Sequence, residues 1–416
     1  MLSILWCIPT SIIIMSFIYG IPSFFSAVAN LRRKVWLNID VENDSNSLND
    51  DPFDVAILIP LYMEDESSVR ETFKSISKQR YRLGKVDVYV ILENNDLKTL
   101  IHVFENIDML IEKGFGIYIF MNRGERKSKA SSINLVLKHV THFYGAFIIL
   151  DGGDNILDSL YIEKVAKLTL SGYSIVGAKV YRVGNNIIGK LSYIDTFLWY
   201  NVGLPGLAKF IGTPLVSGEG LTLSARFLEK IGGMPEVLAE DAYLSILASF
   251  YNEKIALLDT PIIEGAPSNI RSLVNQRIRW YRGTLQCFKD TVTKHRKILS
   301  KKKLILLTLA YLQPVALTAP SIALIILIAS QFIQVPLITL VLAKIELISI
   351  FFAPSYLILY QRFLDIALIM APINWIFQGF LAMVAMTPIR ISWLRTLNRT
   401  SIGIENKDFL KQEVKH

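Results

Sequence analysis

The chain has 416 residues, 52% hydrophobic and only 19% charged, where ordinary soluble domains carry about a quarter charged residues. This argues against a wholly soluble protein and sets aside disordered, collagen-like and low-complexity readings; Cys7 and Cys287 alone cannot make a disulfide framework, and no Cys/His group has zinc spacing. A net charge of +8 points to nucleic acid, a membrane surface or anionic substrates, so its placement along the chain must decide.

Met1 to Ala29 contains no charged side chain. As a helix that stretch can span the roughly 30 Å hydrocarbon core of a bilayer, with Pro9 and Pro22 as tolerated kinks. Arg32, Arg33 and Lys34 follow, and the positive-inside rule then puts the next segment in the cytoplasm. The competing reading is a signal peptide cleaved after Ala27-Val28-Ala29. It lacks a basic n-region, and the apolar run is too long for it. Residues 30–52, with Glu42-Asn43-Asp44-Ser45-Asn46-Ser47, read as a polar linker.

From 53 to 300 short apolar runs alternate with amphipathic segments. Strands are predicted over 55–59, 85–92, 117–120, 146–150 and 174–180, and helices over 65–79 and 97–113. This alternation predicts an α/β fold, a mostly parallel sheet with helices on both faces. Such sheets bind ligands at the carboxyl ends of their strands. Polar residues gather there: Glu93-Asn94-Asn95-Asp96 after the second strand, and Asp151-Gly152-Gly153-Asp154-Asn155 after the strand over 146–150. Carboxylates at a strand end, with glycines that let a ligand approach the backbone, suit a hard ion such as Mg²⁺ or Mn²⁺ bridging phosphates. A plain Asp-Gly turn is the alternative for either segment alone.

Between them, Arg123-Gly124-Glu125-Arg126-Lys127-Ser128-Lys129 precedes a helix opened by Ala130-Ser131-Ser132-Ile133-Asn134. Cations at a helix N-terminus form a phosphate site; a solvated basic turn is the simpler explanation. Ser217-Gly218-Glu219-Gly220 reads as a flexible loop, and Gly232-Gly233-Met234-Pro235 leads to Glu240-Asp241 at the start of a helix over 242–250. Capping alone could explain that acidic pair. Gln276-Arg277-Ile278-Arg279-Trp280-Tyr281-Arg282-Gly283 packs three arginines and two aromatics into an amphipathic stretch. An interfacial helix is its structural explanation.

A second apolar block runs from Leu304 to about Met386, interrupted by Lys344 and Glu346 and again by Gln361, Arg362 and Asp365. The block, 304–388, predicts three or four membrane helices. Four is preferred because the tail over 389–416 carries Arg390, Arg395 and Arg399 and should return to the cytoplasm. The positive charge concentrates in Lys289, Lys294, Arg296, Lys297, Lys301, Lys302 and Lys303, just before this block. That placement suits anionic lipid headgroups. No aromatic-interleaved basic stripe calls for nucleic acid.

In this order the segments resemble a membrane-embedded family 2 glycosyltransferase, the group of cellulose, chitin and hyaluronan synthases, from Val55 through Gly283 and into the apolar block. The resemblance implies a GT-A fold, a Rossmann-like α/β domain in the cytoplasm flanked by transmembrane helices, in a multi-pass protein of the cell membrane. Glu93 and Asp96 stand where an acidic motif contacts the nucleotide base. Lys129 and Asn134 match a lysine followed five residues later by asparagine, on the donor. Asp151 falls on the metal-binding D-x-D-type motif; the second acid of that motif falls on Gly153, with Asp154 as its replacement. Glu240-Asp241 matches the T-E-D-type motif, with Ala239 for threonine and Asp241 as catalytic base. Gln276, Arg279 and Trp280 complete Q-x-x-R-W, and Trp393-Leu394-Arg395-Thr396 resembles a W-x-K-T tail.

The implied reaction transfers a sugar from a UDP- or GDP-sugar with inversion. A divalent ion on Asp151 and Asp154, with Lys129 and Arg279, would neutralise the leaving diphosphate. Asp241 would take the acceptor's proton, and Trp280 would offer a stacking face to an acceptor sugar. The acceptor is a growing polysaccharide or, alternatively, a lipid-linked molecule that receives one sugar. A third reading, a non-catalytic nucleotide-sugar-binding subunit, draws on Gly153. A transporter is excluded by the lack of paired repeats and by the large cytoplasmic segment.

Overall fold

The computed structural model describes residues 2–41, 52–124, 128–361 and 364–387. Glu42 to Ser47 of the linker, Glu125, Arg126 and Lys127 of the basic turn, and the tail with Arg390, Trp393, Arg395, Thr396 and Arg399 lie outside the described residues.

The chain folds into two units. The α/β unit comprises Arg33–Val183 and Thr213–Gly265. Its sheet contains β1 (Val55–Leu61), β2 (Val86–Glu93), β3 (Gly116–Asn122), β4 (Ala146–Ile149), β5 (Asn155–Ile156), β6 (Ile175–Val183), β7 (Leu221–Ser224) and β8 (Ile255–Gly265). Their order is β3-β2-β1-β4-β7-β6-β8-β5. Adjacent strands are parallel except where β7 runs against β4 and β6, and β5 against β8. The predicted mostly parallel α/β sheet is therefore present, with GT-A-like organisation.

β1 shows why these residues make a central strand. Val55, Ile57 and Ile59 face one side and Ala56 and Leu58 the other, and all five are fully buried, as expected of a strand covered by helices on both faces. Helix Glu66–Ile76 covers one face through Val69, Phe73 and Ile76. β6 is buried along its whole length although it carries Lys179 and Arg182. Each is paired with acids, Lys179 with Asp259 and Arg182 with Glu219 and Glu264, since an unpaired cation there would pay a large desolvation penalty.

The second unit is helical and, among the described residues, takes those up to Arg32, Gly184–Gly212 and those from Ala266 to Thr387. The segments 184–212 and 266–300, which the sequence placed within one domain over 53–300, group with these helices. Three helices are long and apolar enough to cross a membrane, Leu5–Val28, Leu337–Leu359 and Ala367–Met386. A fourth arises if Lys301–Tyr311 and Gln313–Ala329, bent by 49°, form one broken span. The block after 304 thus holds two candidate spans, or three with the bent pair, among the described residues; the preferred count of four needs one helix more.

Helix Leu2–Val28 is tied to helix Leu337–Ser349 by two side-chain hydrogen bonds. Thr10 and Thr339 share one of 2.8 Å, and the Ser16 hydroxyl donates to Glu346 Oε2 at 2.6 Å. Glu346 is 5% exposed. Thr10→Val should lower the stability of the detergent-solubilised protein to SDS unfolding by about 0.6 kcal/mol, the mean for such bonds. Ser16→Ala leaves a buried carboxyl group without that donor and should cost more, about 1–2 kcal/mol.

Candidate active site

The site assembles in the α/β unit, at the carboxyl end of the parallel strands. β4 ends and the chain turns through Asp151-Gly152-Gly153-Asp154. Gly153 has φ +94°, a conformation that L side chains rarely adopt, so an aspartate at this position of the turn would be strained. The Thr72 hydroxyl fixes the turn, accepting from the Gly153 N–H at 2.9 Å and donating to the Asp151 carbonyl at 3.3 Å. Asp154 is fully buried. Its Oδ2 accepts from the Asp151 N–H at 2.8 Å, and its Oδ1 has no hydrogen-bond partner.

The reversed strand β7 brings a second loop to this turn. Leu221 lies opposite Ile149, so residues just before β7 meet those just after β4. Gly220 has φ +62°, and a Cβ there would overlap Ile262; its carbonyl accepts from the Tyr161 hydroxyl. Glu219 is held by Arg182. Arg182 on β6 and Glu264 on β8 are register partners, so their side chains leave the same face of the sheet, with Arg182 Nε 2.6 Å from Glu264 Oε2.

Lys129 begins helix Lys129–Val140, which is started by a reciprocal cap between Ser128 and Ser131. Its Nζ lies 2.6 Å from Asp151 Oδ1 and 3.8 Å from Glu240 Oε1. Burial pulls this ammonium group's pKa down, but Asp151, Glu240 and Glu219 outweigh burial and hold it above the ordinary lysine value. Glu240 and Asp241 occupy the first turn of helix Glu240–Phe250. The approach to that helix is clamped by Asn134, whose Nδ2 donates to the Met234 carbonyl at 2.9 Å and whose Oδ1 accepts from the Met234 N–H at 2.7 Å. Asp241 Oδ1 accepts from the Ala242 N–H at 2.7 Å. Its Oδ2 and the Lys129 Nζ both border Gly218, at 3.7 and 3.5 Å from where a Cβ would stand.

Six carboxylates (Asp151, Asp154, Glu219, Glu240, Asp241 and Glu264) thus share this space with two cations, Lys129 and Arg182. Burial, reinforced by Glu240 and Glu219, pushes Asp241 up to about 7. Burial and then Asp151 and Glu264 push Asp154 well above the usual carboxylate range. Glu219 is raised by burial against the opposing pull of Arg182. Among the described residues no three His, Cys, Asp or Glu side chains form a metal cage. The oxygen donors of this site still fit a hard divalent ion, which is commonly held by one or two carboxylates together with substrate phosphates.

The other expected residues lie elsewhere. Glu93 is buried, with Oε1 accepting from Asn122 and Ser132 at 3.0 Å each and Oε2 without a hydrogen-bond partner. Asp96 caps helix Leu97–Asn106 through Thr99 and also accepts from the Met63 N–H. Its carboxylate is engaged with the backbone on both oxygens. Gln276, Arg279 and Trp280 lie on helix Ile270–Lys294 of the helical unit, where Gln276 is 2% exposed.

Four residues were missed in the sequence, Glu264 on β8 among them. Glu64 lies against the Asp151 turn, since a Cβ at Gly152 would come within 2.8 Å of its Cγ. Applying the strand-end rule to β1, as to β2 and β4, would have found it. Glu219 was read as part of a flexible loop around the sugar pocket, without a role of its own. Arg182 was signalled by a charge inside an otherwise apolar strand. A surface cleft of about 900 Å³, lined by Asn134, Lys138, His142, Glu229 and Glu236 among others, contains none of these six carboxylates.

No curated protein matches the chain. In fold it is similar to the mannosyltransferase PcManGT from Pyrobaculum calidifontis, solved in complex with GDP-Man and Mn²⁺, at 18% identity and a TM-score of 0.62 over 92% of this chain and 97% of that one. A weaker likeness is to S. aureus TarS 1-349 in complex with UDP, at 13% identity and a TM-score of 0.40 over 80% and 90% of the two chains. The family described as "Glycosyl transferase family group 2" matches residues 146–384, more than half of the chain and including the Asp151 turn, Glu240-Asp241 and Gln276 to Trp280. The chain therefore belongs to glycosyl transferase family group 2 and is a glycosyltransferase.

Proposed function

We propose that the protein is an inverting, metal-dependent transferase that moves a sugar from a nucleotide-sugar donor to a hydroxyl of a glycan or lipid-linked acceptor at a bilayer, with its α/β unit in the cytoplasm. The observation that carries this reading is the surplus of carboxylates over cations around Lys129 and Asp151. A nucleoside diphosphate would add like charge to such a pocket, so the site suits a donor only in company with a divalent cation. PcManGT holds GDP-Man with Mn²⁺, which makes GDP-mannose the first donor to try.

Asp151 would hold the Mg²⁺ or Mn²⁺ ion, which when bound neutralises charge developing on the leaving diphosphate. Asp154 fixes Asp151 from behind through its amide rather than binding the ion itself. Lys129 supplies a cation to the diphosphate from the start of its helix, with Arg279 as a further donor-side cation. Glu93, whose Oε2 is an unsatisfied acceptor, faces the base, and Asp96 holds the loop after β1. Asp241 is the catalytic base: its Oδ2 takes the acceptor proton as the hydroxyl attacks the anomeric carbon. Glu240 raises its proton affinity, and Asn134 places both. Gln276 and Trp280 serve the acceptor.

Purified protein with GDP-mannose or UDP-N-acetylglucosamine should release nucleoside diphosphate, lose that activity with chelator, and regain it with Mn²⁺ or Mg²⁺. Asp241→Asn should reduce kcat by about 10² to 10⁴-fold with donor affinity preserved. Binding of both donors without turnover under either metal would instead establish the non-catalytic reading. Product size separates polymer synthesis from single addition in the same assay.

The base must be ionised, and its pKa is about 7. A bound divalent ion facing Asp241 lowers that value, so in the metal-loaded enzyme kcat/KM should fall tenfold per pH unit below a break that lies under about 7 and level off above it. The raised pKa also fixes the sign for stability. The folded state binds this proton more tightly than the unfolded chain, so stability falls as pH rises from the unfolded value of 3.8 to about 7 and is level above that. Asp241→Asn should therefore raise the melting temperature most at pH 8, less at pH 5, and leave it unchanged only below the unfolded value of 3.8. Gly153→Asp, which restores the D-x-D spacing, should lower stability by about 1–3 kcal/mol and activity with it, because φ at this position is +94°.

A further inference from the structure

Within the helical unit, Asp195 on helix Ile187–Leu198 gathers polar groups from two other helices. Its Oδ2 accepts from Arg277 Nη2 at 3.0 Å, Gln378 Nε2 at 2.7 Å and Asn374 Nδ2 at 3.3 Å, and its Oδ1 accepts from Trp375 Nε1 at 2.8 Å. Arg277 belongs to helix Ile270–Lys294, and the other three to the candidate span Ala367–Met386. The side chains of Arg277 and Asp195 are 7% and 13% exposed, so water can do little to replace these contacts.

Arg277 connects this carboxylate to the Q-x-x-R-W motif. Residues 277 and 280 are one helical turn apart and share a face, and the Arg277 guanidinium lies 4.6 Å from the centre of the Trp280 ring. A guanidinium held on one side by a carboxylate and stacked on the other against an indole leaves that ring little freedom. The Tyr281 hydroxyl adds a second tie, donating to Gln378 Oε1 at 2.9 Å.

We propose that Asp195 is a positioning residue for Trp280: through Arg277 it sets the orientation of the indole and couples it to the candidate span Ala367–Met386. The use of that indole by an acceptor sugar rests on the reading given above; the positioning does not. None of these contacts is part of the motif, because Arg277 occupies one of its unspecified positions.

The test uses the full-length protein in detergent, labelled with 5-fluorotryptophan and observed by ¹⁹F NMR. The chain has six tryptophans, and the line of Trp280 is the one lost in Trp280→Phe. Asp195→Asn should displace or broaden that line. Trp375→Phe removes one donor to Asp195 with little change of shape; it should do the same to a smaller extent and covers the case in which Asp195→Asn does not fold. Glu163→Gln disturbs the Arg82 ion pair of the α/β unit, 2.6 Å long, and should leave the Trp280 line in place, separating positioning from general loss of stability. A Trp280 line unmoved in both Asp195→Asn and Trp375→Phe overturns the proposal. The readout needs no turnover, so it decides the matter even where the transferase assay is negative. If the line moves while the transferase rate stays at the wild-type value, positioning stands and the acceptor role given to Trp280 falls.

Discussion

Carboxylates crowded into one pocket repel one another, and the ammonium group of Lys129 is what allows Asp151 and Glu240 to lie on the same side of the sheet. Its Nζ reaches both. Arg182 does the equivalent for Glu219 and Glu264. Two cations do not balance the six acids, and protonation relieves part of the remainder: Asp154, Glu219 and Asp241 all have raised proton affinity. A pocket built this way changes character when its charge changes. Any cation that enters lowers the proton affinity of the carboxylates it faces, so a divalent ion bound there would shift Asp241 toward its ionised form.

The sheet supplies the geometry for this arrangement. Parallel strands deliver the turn after β4 at one end of the sheet. The reversal of β7 makes its incoming loop arrive at the same end, where a parallel strand would have sent it to the other. β6 and β8, which are parallel, then pair Arg182 with Glu264 side by side beneath that loop. No residue of the site needs an unusual backbone except the glycines at its turns.

Much of this was legible in the sequence. The strands over 55–59 and 146–150 were continuous apolar runs of the right length, and Asp151, Lys129 and Glu240-Asp241 could be placed at element ends by spacing alone. β7 and β8 were not legible. β7 is four residues long, too short for a period to establish itself. β8 carries Asp259 and Pro261 in mid-strand and pairs with β6 across a register shift, so its pattern is interrupted twice. Asn134 was found through its spacing from Lys129, but its action on the Met234 backbone depends on a contact 100 residues away. For charges buried in pairs, such as Arg182 and Asp195, the partner cannot be read locally, because it is distant in the chain. Gly153 was read as a lost ligand; that its φ is positive was not legible, because backbone conformation leaves no periodic signal.

The bonds from Thr10 to Thr339 and from Ser16 to Glu346 join residues 329 and 330 positions apart. At a synthesis rate of about 5–20 residues per second, the first helix waits about 15 to 65 s for its partner to emerge. Throughout that interval Thr10 and Ser16 have only the hydroxyl-to-carbonyl bonds of their own helix, to Trp6 and Ile13. Those local bonds let the helix reside alone in an apolar medium, with its hydroxyl groups satisfied, until the second half of the chain arrives.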